Sequence, residues 1–187
     1  MSFPTYQQYD AMDCGPTCVK IIAKYYGKSY SLQLLRNKCQ ITREGVSLIG
    51  MSEAATQLGF RTVSIKTDLD TIARENALPC IAHWQQNHFI VVYKISKNYV
   101  WVSDPGRGLL KYTKSEFYAS WSVEYNENEP VGILMLAEPT STFFYAEEEE
   151  EQKLIGWSAK RELARLNYHI HTDAIKHNLI PAELTPA

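Results

Sequence analysis

No run in this chain comes near the ~18 consecutive apolar residues that a membrane-spanning helix needs, so no part of it reads as a span by itself. The opening residues, MSFPTYQQYDAMD, lack both the basic start and the apolar stretch of a secretion signal. A chain with neither address is expected in the cytoplasm, where reducing conditions weaken a disulfide reading of its four cysteines. A basic surplus is missing as well. The formal net charge is -2, whereas nucleic-acid proteins normally show a basic excess or stripe, so no nucleic-acid partner is expected. Cys14 and Cys18 have no second closely spaced Cys/His pair to match them, which removes the paired type of zinc site. A phosphate-binding GxxxxGK[ST] loop is also absent. Neither a metal nor a cofactor is expected.

What is present suits one folded domain with an appendage: 187 residues, 45% of them apolar and 21% charged. In CVKIIAKYYG the residues Val19, Ile22 and Tyr26 fall on one helical stripe, with Pro16 in the first turn and Gly27 as the stop. Ser31 is placed to cap a second helix over SLQLLRNKC, and a third is expected from near Ser47 to Gly59. The period then changes. FRTVSIKT alternates like a strand, DLDTIARENA reads as a short helix, and Pro79 breaks it. CIAHW, HFIVVYKI, YVWVSD and GLLKYT follow as short strands, and Thr113 with Glu116 has capping-box spacing for a brief helix before a last strand at GILMLAE. Helices first and antiparallel strands after them predict an α+β fold.

Beyond Pro139 the composition shifts. Residues 147–151 are five consecutive glutamates, a self-repelling run that reads as a solvated linker. The expected organisation is a domain over 1–139, an acidic linker over 140–157 and a partly helical tail of unknown role over 158–187. His169, His171 and His177 in that tail read as solvated residues rather than metal ligands.

The stretch DAMDCGPTC carries the first chemical signal. Cys14 stands at the mouth of the first helix, where unpaired N–H groups and the positive end of the helix dipole stabilise a thiolate. Cys18 lies one turn inside and reads as core. A nucleophile needs a base, and His88 opens the HFIVVYKI strand after the polar run QQN. A hairpin turning near Ser96 to Asn98 brings Asp104, in VSDPGRG, back within a residue or two of the level of His88. There it can accept from the imidazole and fix its tautomer. An oxyanion donor is available from the backbone N–H at the helix start. Gln7 or Gln8 can add another, and the residues alone leave that choice open. The aromatics Tyr6, Tyr9, Trp84 and Trp101 fit either a docking groove or the core.

Three motifs in this order, QYDAMDCGPTC, NHFIVVY and VSDPGRG, resemble the double-glycine leader peptidase family, over about residues 5–138. Its members are papain-like cysteine peptidase domains at the N-terminus of bacterial ABC exporters of bacteriocins and signalling peptides. The resemblance implies a papain-like fold and cleavage of a leader after a Gly-Gly pair. It also implies Cys14 as nucleophile, His88 as general base and acid, Asp104 as orienting carboxylate and Gln8 as oxyanion donor. The implied partners are a leader-bearing precursor peptide and the membrane and ATP-binding domains of an exporter, on the cytoplasmic face of the inner membrane. The rival reading is a binding module that holds the leader without cutting it, as in relatives that lack the cysteine. A third is papain-like transfer to an amine instead of water.

Overall fold

The computed structural model describes residues 2–42, 45–126 and 129–145. The first three α-helices are α1 (Cys14–Tyr25), α2 (Leu32–Lys38) and α3 (Leu48–Gln57). Ser31 and Ser47 cap the latter two, their hydroxyls accepting from the N–H of Leu34 and Gly50. α1 ends where its apolar stripe does, and Gly27 follows at φ 94°, a left-handed conformation open to glycine without steric cost.

The rest is mainly sheet: β1 (Phe60–Thr67), α4 (Leu69–Arg74), β2 (Cys80–Trp84), β3 (His88–Ile95), β4 (Tyr99–Asp104), β5 (Gly108–Thr113), α5 (Lys114–Trp121), β6 (Glu124–Asn126), β7 (Glu129–Pro139) and α6 (Ser141–Tyr145). The strands pair antiparallel in the order β1-β7-β2-β3-β4-β5, with β6 on β7. Thr113 and Glu116 form the expected capping box at the head of α5.

Both faces of the central strands are covered, which is why FIVV of β3 is apolar without a break. Phe89 and Val91 pack into one core with Ile21, Ile22, Met51 and Met135 beneath α1 and α3. Ile90 and Val92 point the other way, into a second core with Val100, Val102, Phe117 and Trp121. The α+β architecture therefore follows the expected order of elements. Three features go beyond the sequence reading: a 3₁₀ turn over Ala11–Asp13, the short strand β6, and the helix α6. In α6, Phe143 is fully buried, its ring 4.3 Å from that of Phe60. Packing thus continues past residue 139. The remainder of the acidic linker and the tail, with His169, His171 and His177, lie outside the described residues. Among the described residues no helix is long and apolar enough to cross a membrane.

Candidate active site

The 3₁₀ turn Ala11–Asp13 runs directly into α1, so Cys14 is the first residue of that helix. Two carboxylates hold the entry. Asp10 accepts from the N–H of Met12 at 2.9 Å, and Asp13 accepts from the N–H of Asp10 at 3.0 Å. Asp13 is 1% exposed and takes two charge-assisted bonds from Arg36 of α2, Nε to Oδ1 at 2.7 Å and Nη2 to Oδ2 at 2.5 Å. The Arg36 bond, against the opposing effect of burial, holds the Asp13 carboxyl below the usual carboxylate range. α2 thereby pins the turn that presents Cys14.

Gly15 completes the fit. A Cβ there would stand 2.2 Å from Cγ1 of Val46 and 2.7 Å from Sδ of Met51, so the helix mouth sits closer to α3 than any other residue allows. All four cysteines are free thiols. Burial pushes the Cys18 thiol well up, and pushes Cys39 and Cys80 up to about 12, which suits three inert core residues. Cys14 alone among them stands at a helix start.

His88 opens β3 and Asp104 closes β4, as the hairpin reading expected. The register between these strands contains a bulge. Ile95 pairs with Val100 and Lys94 with Trp101, but Val92 pairs with Val102 and Val91 with Ser103, leaving Tyr93 as the extra residue. Carried one step further, this register sets Asp104 level with Ile90, on the sheet face that His88 shares by alternation. The two side chains meet there, His88 Nε2 to Asp104 Oδ1 at 2.9 Å. The same Oδ1 accepts from the N–H of Gly106 at 2.8 Å.

With Nε2 committed to Asp104, Nδ1 is the nitrogen left for Cys14, whose thiol interacts favourably with the charged imidazole. Burial opposes a charge on His88, yet the bonds to Asp104 and Cys14 outweigh it and hold the imidazole up at about 9. Asp104 is buried too, which would raise it, but the bonds from His88 and Gly106 keep it below the usual carboxylate range. The structure therefore brings Cys14, His88 and Asp104 together from α1, β3 and β4.

Gln8 lies close to this line and Gln7 does not share its setting. The N–H of Gln8 donates to the carbonyl of Pro105 at 2.9 Å, tying the N-terminal segment to the residue after Asp104. Gln8 is half-buried, with its Oε1 buried and unpartnered, while Gln7 is exposed. The segment upstream is anchored along the same hairpin by Ser103 Oγ donating to the Pro4 carbonyl and by Phe3 stacked on Tyr93 at 4.1 Å. Of the aromatics singled out from sequence, Trp84 is core, Tyr6 and Trp101 are half-buried, and Tyr9 is 86% exposed. Sequence reasoning missed the Asp13–Arg36 pair and the Tyr93 bulge. The acidic residue beside Cys14 was the one visible trace of the former.

A model of the peptidase C39 family matches residues 2–126. The chain is 32% identical over 143 residues to the lactococcin-G-processing and transport ATP-binding protein LagD of Lactococcus lactis, a match covering 74% of this chain and 19% of that protein. It is 33% identical over 113 residues to the colicin V secretion/processing ATP-binding protein CvaB of Escherichia coli, covering 60% of this chain and 16% of that one. The chain thus spans less than a fifth of the length of these curated relatives. Among solved structures, it resembles a double glycine motif protease from an AMS/PCAT transporter, solved in complex with the leader peptide. There the TM-score is 0.66 at 27% identity, over 74% of this chain and 93% of that one. It also resembles the peptidase domain of Streptococcus ComA, with a TM-score of 0.62 at 30% identity, over 74% of this chain and 100% of that domain.

Proposed function

The chain belongs to the peptidase C39 family, and on that premise we propose that it is a cysteine endopeptidase that removes the leader from a secreted peptide precursor by cutting after a Gly-Gly pair. The observation that carries the proposal is the Cys14–His88–Asp104 line, with Nε2 of His88 held at 2.9 Å from Asp104. The Cys14 thiol gives its proton to Nδ1, and Sγ attacks the carbonyl carbon of the second glycine. The oxyanion that forms is met by the N–H groups at the start of α1 and by the Gln8 side chain. Collapse breaks the C–N bond, and the imidazolium returns its proton to the departing amine. Water, deprotonated by the same nitrogen, then opens the thioester, frees the leader with a terminal carboxylate and restores Cys14. Asp104 keeps Nε2 protonated throughout, so Nδ1 is always the working nitrogen.

The leader's upstream part docks as an amphipathic helix, and an open groove beside the Cys14 turn, where Met12 and Ile41 stand among mostly polar side chains, would take both faces of such a helix. Relatives named as transport and processing ATP-binding proteins support an exporter setting, in which this domain works beside membrane and ATP-binding domains on the cytoplasmic face. The non-catalytic alternative predicts binding without cleavage, and the presence of all three groups weighs against it. Incubating the chain with a precursor carrying a Gly-Gly junction tests the proposal. The wild type should release the leader, Cys14→Ala should not, and Cys18→Ala should still cut. An intact precursor with the wild type, or equal cutting by Cys14→Ala, would sink the reading.

A further inference from the structure

The peptidase reading leaves a cavity beside His88 unused, and the role inferred for that cavity rests on the same reading. A space of about 240 Å³ opens against His88 and Asp104, with Trp84, Arg107, Tyr112 and Ser120 among its walls. The rings of Trp84 and Tyr112 stand 5.4 Å apart at 35°, and Arg107 Nη1 donates to Tyr112 Oη at 3.3 Å. The rim is fixed rather than loose. Gln85 of the β2–β3 turn donates its N–H to the carbonyl of Ser120 at 2.9 Å, joining that turn to α5. Gln85 and Gln86 adopt φ of 50° and 60°, a left-handed conformation that non-glycine residues seldom take. Strain of that kind persists where the surroundings over-determine it, and it clusters at ligand sites.

Its place relative to the reacting atoms says which part of a substrate it would meet. His88 and Asp104 line the cavity and Cys14 does not, so the space opens on the imidazole's side of the site rather than over the sulfur. When the C–N bond breaks, the acyl half stays on the sulfur while the amine half takes its proton from the imidazole. The chain that begins with that amine therefore leaves on the imidazole's side. We infer that this cavity receives an aromatic side chain from the first or second residue of the released peptide. Its volume suits a single large side chain, falling below the roughly 300 Å³ at which sites for whole small molecules begin. The Trp84 and Tyr112 rings offer edge or offset stacking, and the Arg107 guanidinium can lie over an aromatic face. The cavity then makes the peptidase selective on the product side of the junction, beyond what leader docking supplies.

The test uses the chain with four precursor peptides sharing one leader and a Gly-Gly junction. The two residues after it are Ala-Ala, Phe-Ala, Ala-Phe or Phe-Phe. Phenylalanine at one of the two positions should raise kcat/KM about tenfold over alanine, the scale of one well-filled apolar pocket. Ser120→Trp fills the space from α5 and should bring that ratio close to one. Tyr112→Leu removes one ring wall and should lower the ratio as well. Ratios within about twofold of one at both positions in the parent overturn the inference, as does a ratio untouched by both variants. Cutting of the Ala-Ala peptide by the parent but not by Cys14→Ala keeps the peptidase reading whatever the ratios are. If the parent cuts none of the four, both fall together.

Discussion

Replacing Asp104 by asparagine keeps the shape of the side chain and removes its charge, which isolates the electrostatic part of the His88–Asp104 contact. In the parent, His88 is held at about 9 against an ordinary 6.5. That difference, at about 1.36 kcal/mol per pH unit, corresponds to at most about 3.4 kcal/mol of differential stabilisation of the imidazolium. The His88 side chain is 22% exposed, so most of that interaction escapes solvent screening. Because the folded value lies above the ordinary one, the stabilisation is fully present below pH 6.5 and is lost as pH rises through about 9. Removing a carboxylate at hydrogen-bonding distance should lower His88 by about 1 to 3 units, while the contact with Cys14 remains. Two measurements check this. The alkaline limb of kcat/KM, which reports loss of the proton needed by the departing amine, should lie near 9 in the parent and move down in Asp104→Asn. Unfolding free energy from urea titrations should fall between pH 6.5 and 9 in the parent, and fall less in the variant. An alkaline limb at the same pH in both proteins, with parallel stability curves, would refute the reasoning.

Gln8→Ala should lower kcat by about 10²–10³, the usual effect of losing one oxyanion donor, and Gln7→Ala should leave it near the parent value; equal effects would remove Gln8 from the proposed site. Gly15→Ala places a methyl group within 2.7 Å of both Val46 and Met51. It should cost about 1–3 kcal/mol in urea denaturation, with a parallel drop in kcat/KM as the helix mouth shifts; parent-like stability would show that these side chains give way freely. Phe143→Ala empties a fully buried site and should cost about 3–5 kcal/mol. An unchanged denaturation midpoint would mean that α6 is not part of the folded unit.

The parts of the fold that were legible in the sequence have local causes. Ser31, Ser47 and Thr113 cap the helices they precede because each hydroxyl needs only a backbone N–H of the same turn. The hairpin between β3 and β4 turns where expected because SKN interrupts two apolar runs. The pairing of His88 with Asp104 was legible only to within a residue or two, and in a sheet one residue is decisive. An unbroken ladder from Ile95–Val100 would set Asp104 opposite Val91, out of alternation with His88. The bulge at Tyr93 restores the shared face. Nothing in HFIVVYKI announces it, since Phe89 to Val92 are apolar and buried on both faces and leave no alternation from which a register could be read.

The acidic residue next to Cys14 presents the harder case, because taken alone it argues against the proposed chemistry. A carboxylate beside a nucleophilic sulfur opposes the negative charge that the sulfur must carry. Arg36, 23 positions away, cancels that objection: its guanidinium spans both oxygens of Asp13 and leaves the pair with no net charge. The same bonds fix the turn that presents the thiol, so geometry and charge balance are supplied by one contact. Asp13 can therefore sit next to the sulfur only while α2 is docked. An Arg36→Gln variant should lose kcat more than leader affinity, whereas Arg36→Lys, which keeps the charge but not the two-pronged geometry, should recover part of it. Equal loss in both variants would assign the pair's role to shape, and no loss in either would leave Asp13 without a part in presenting Cys14.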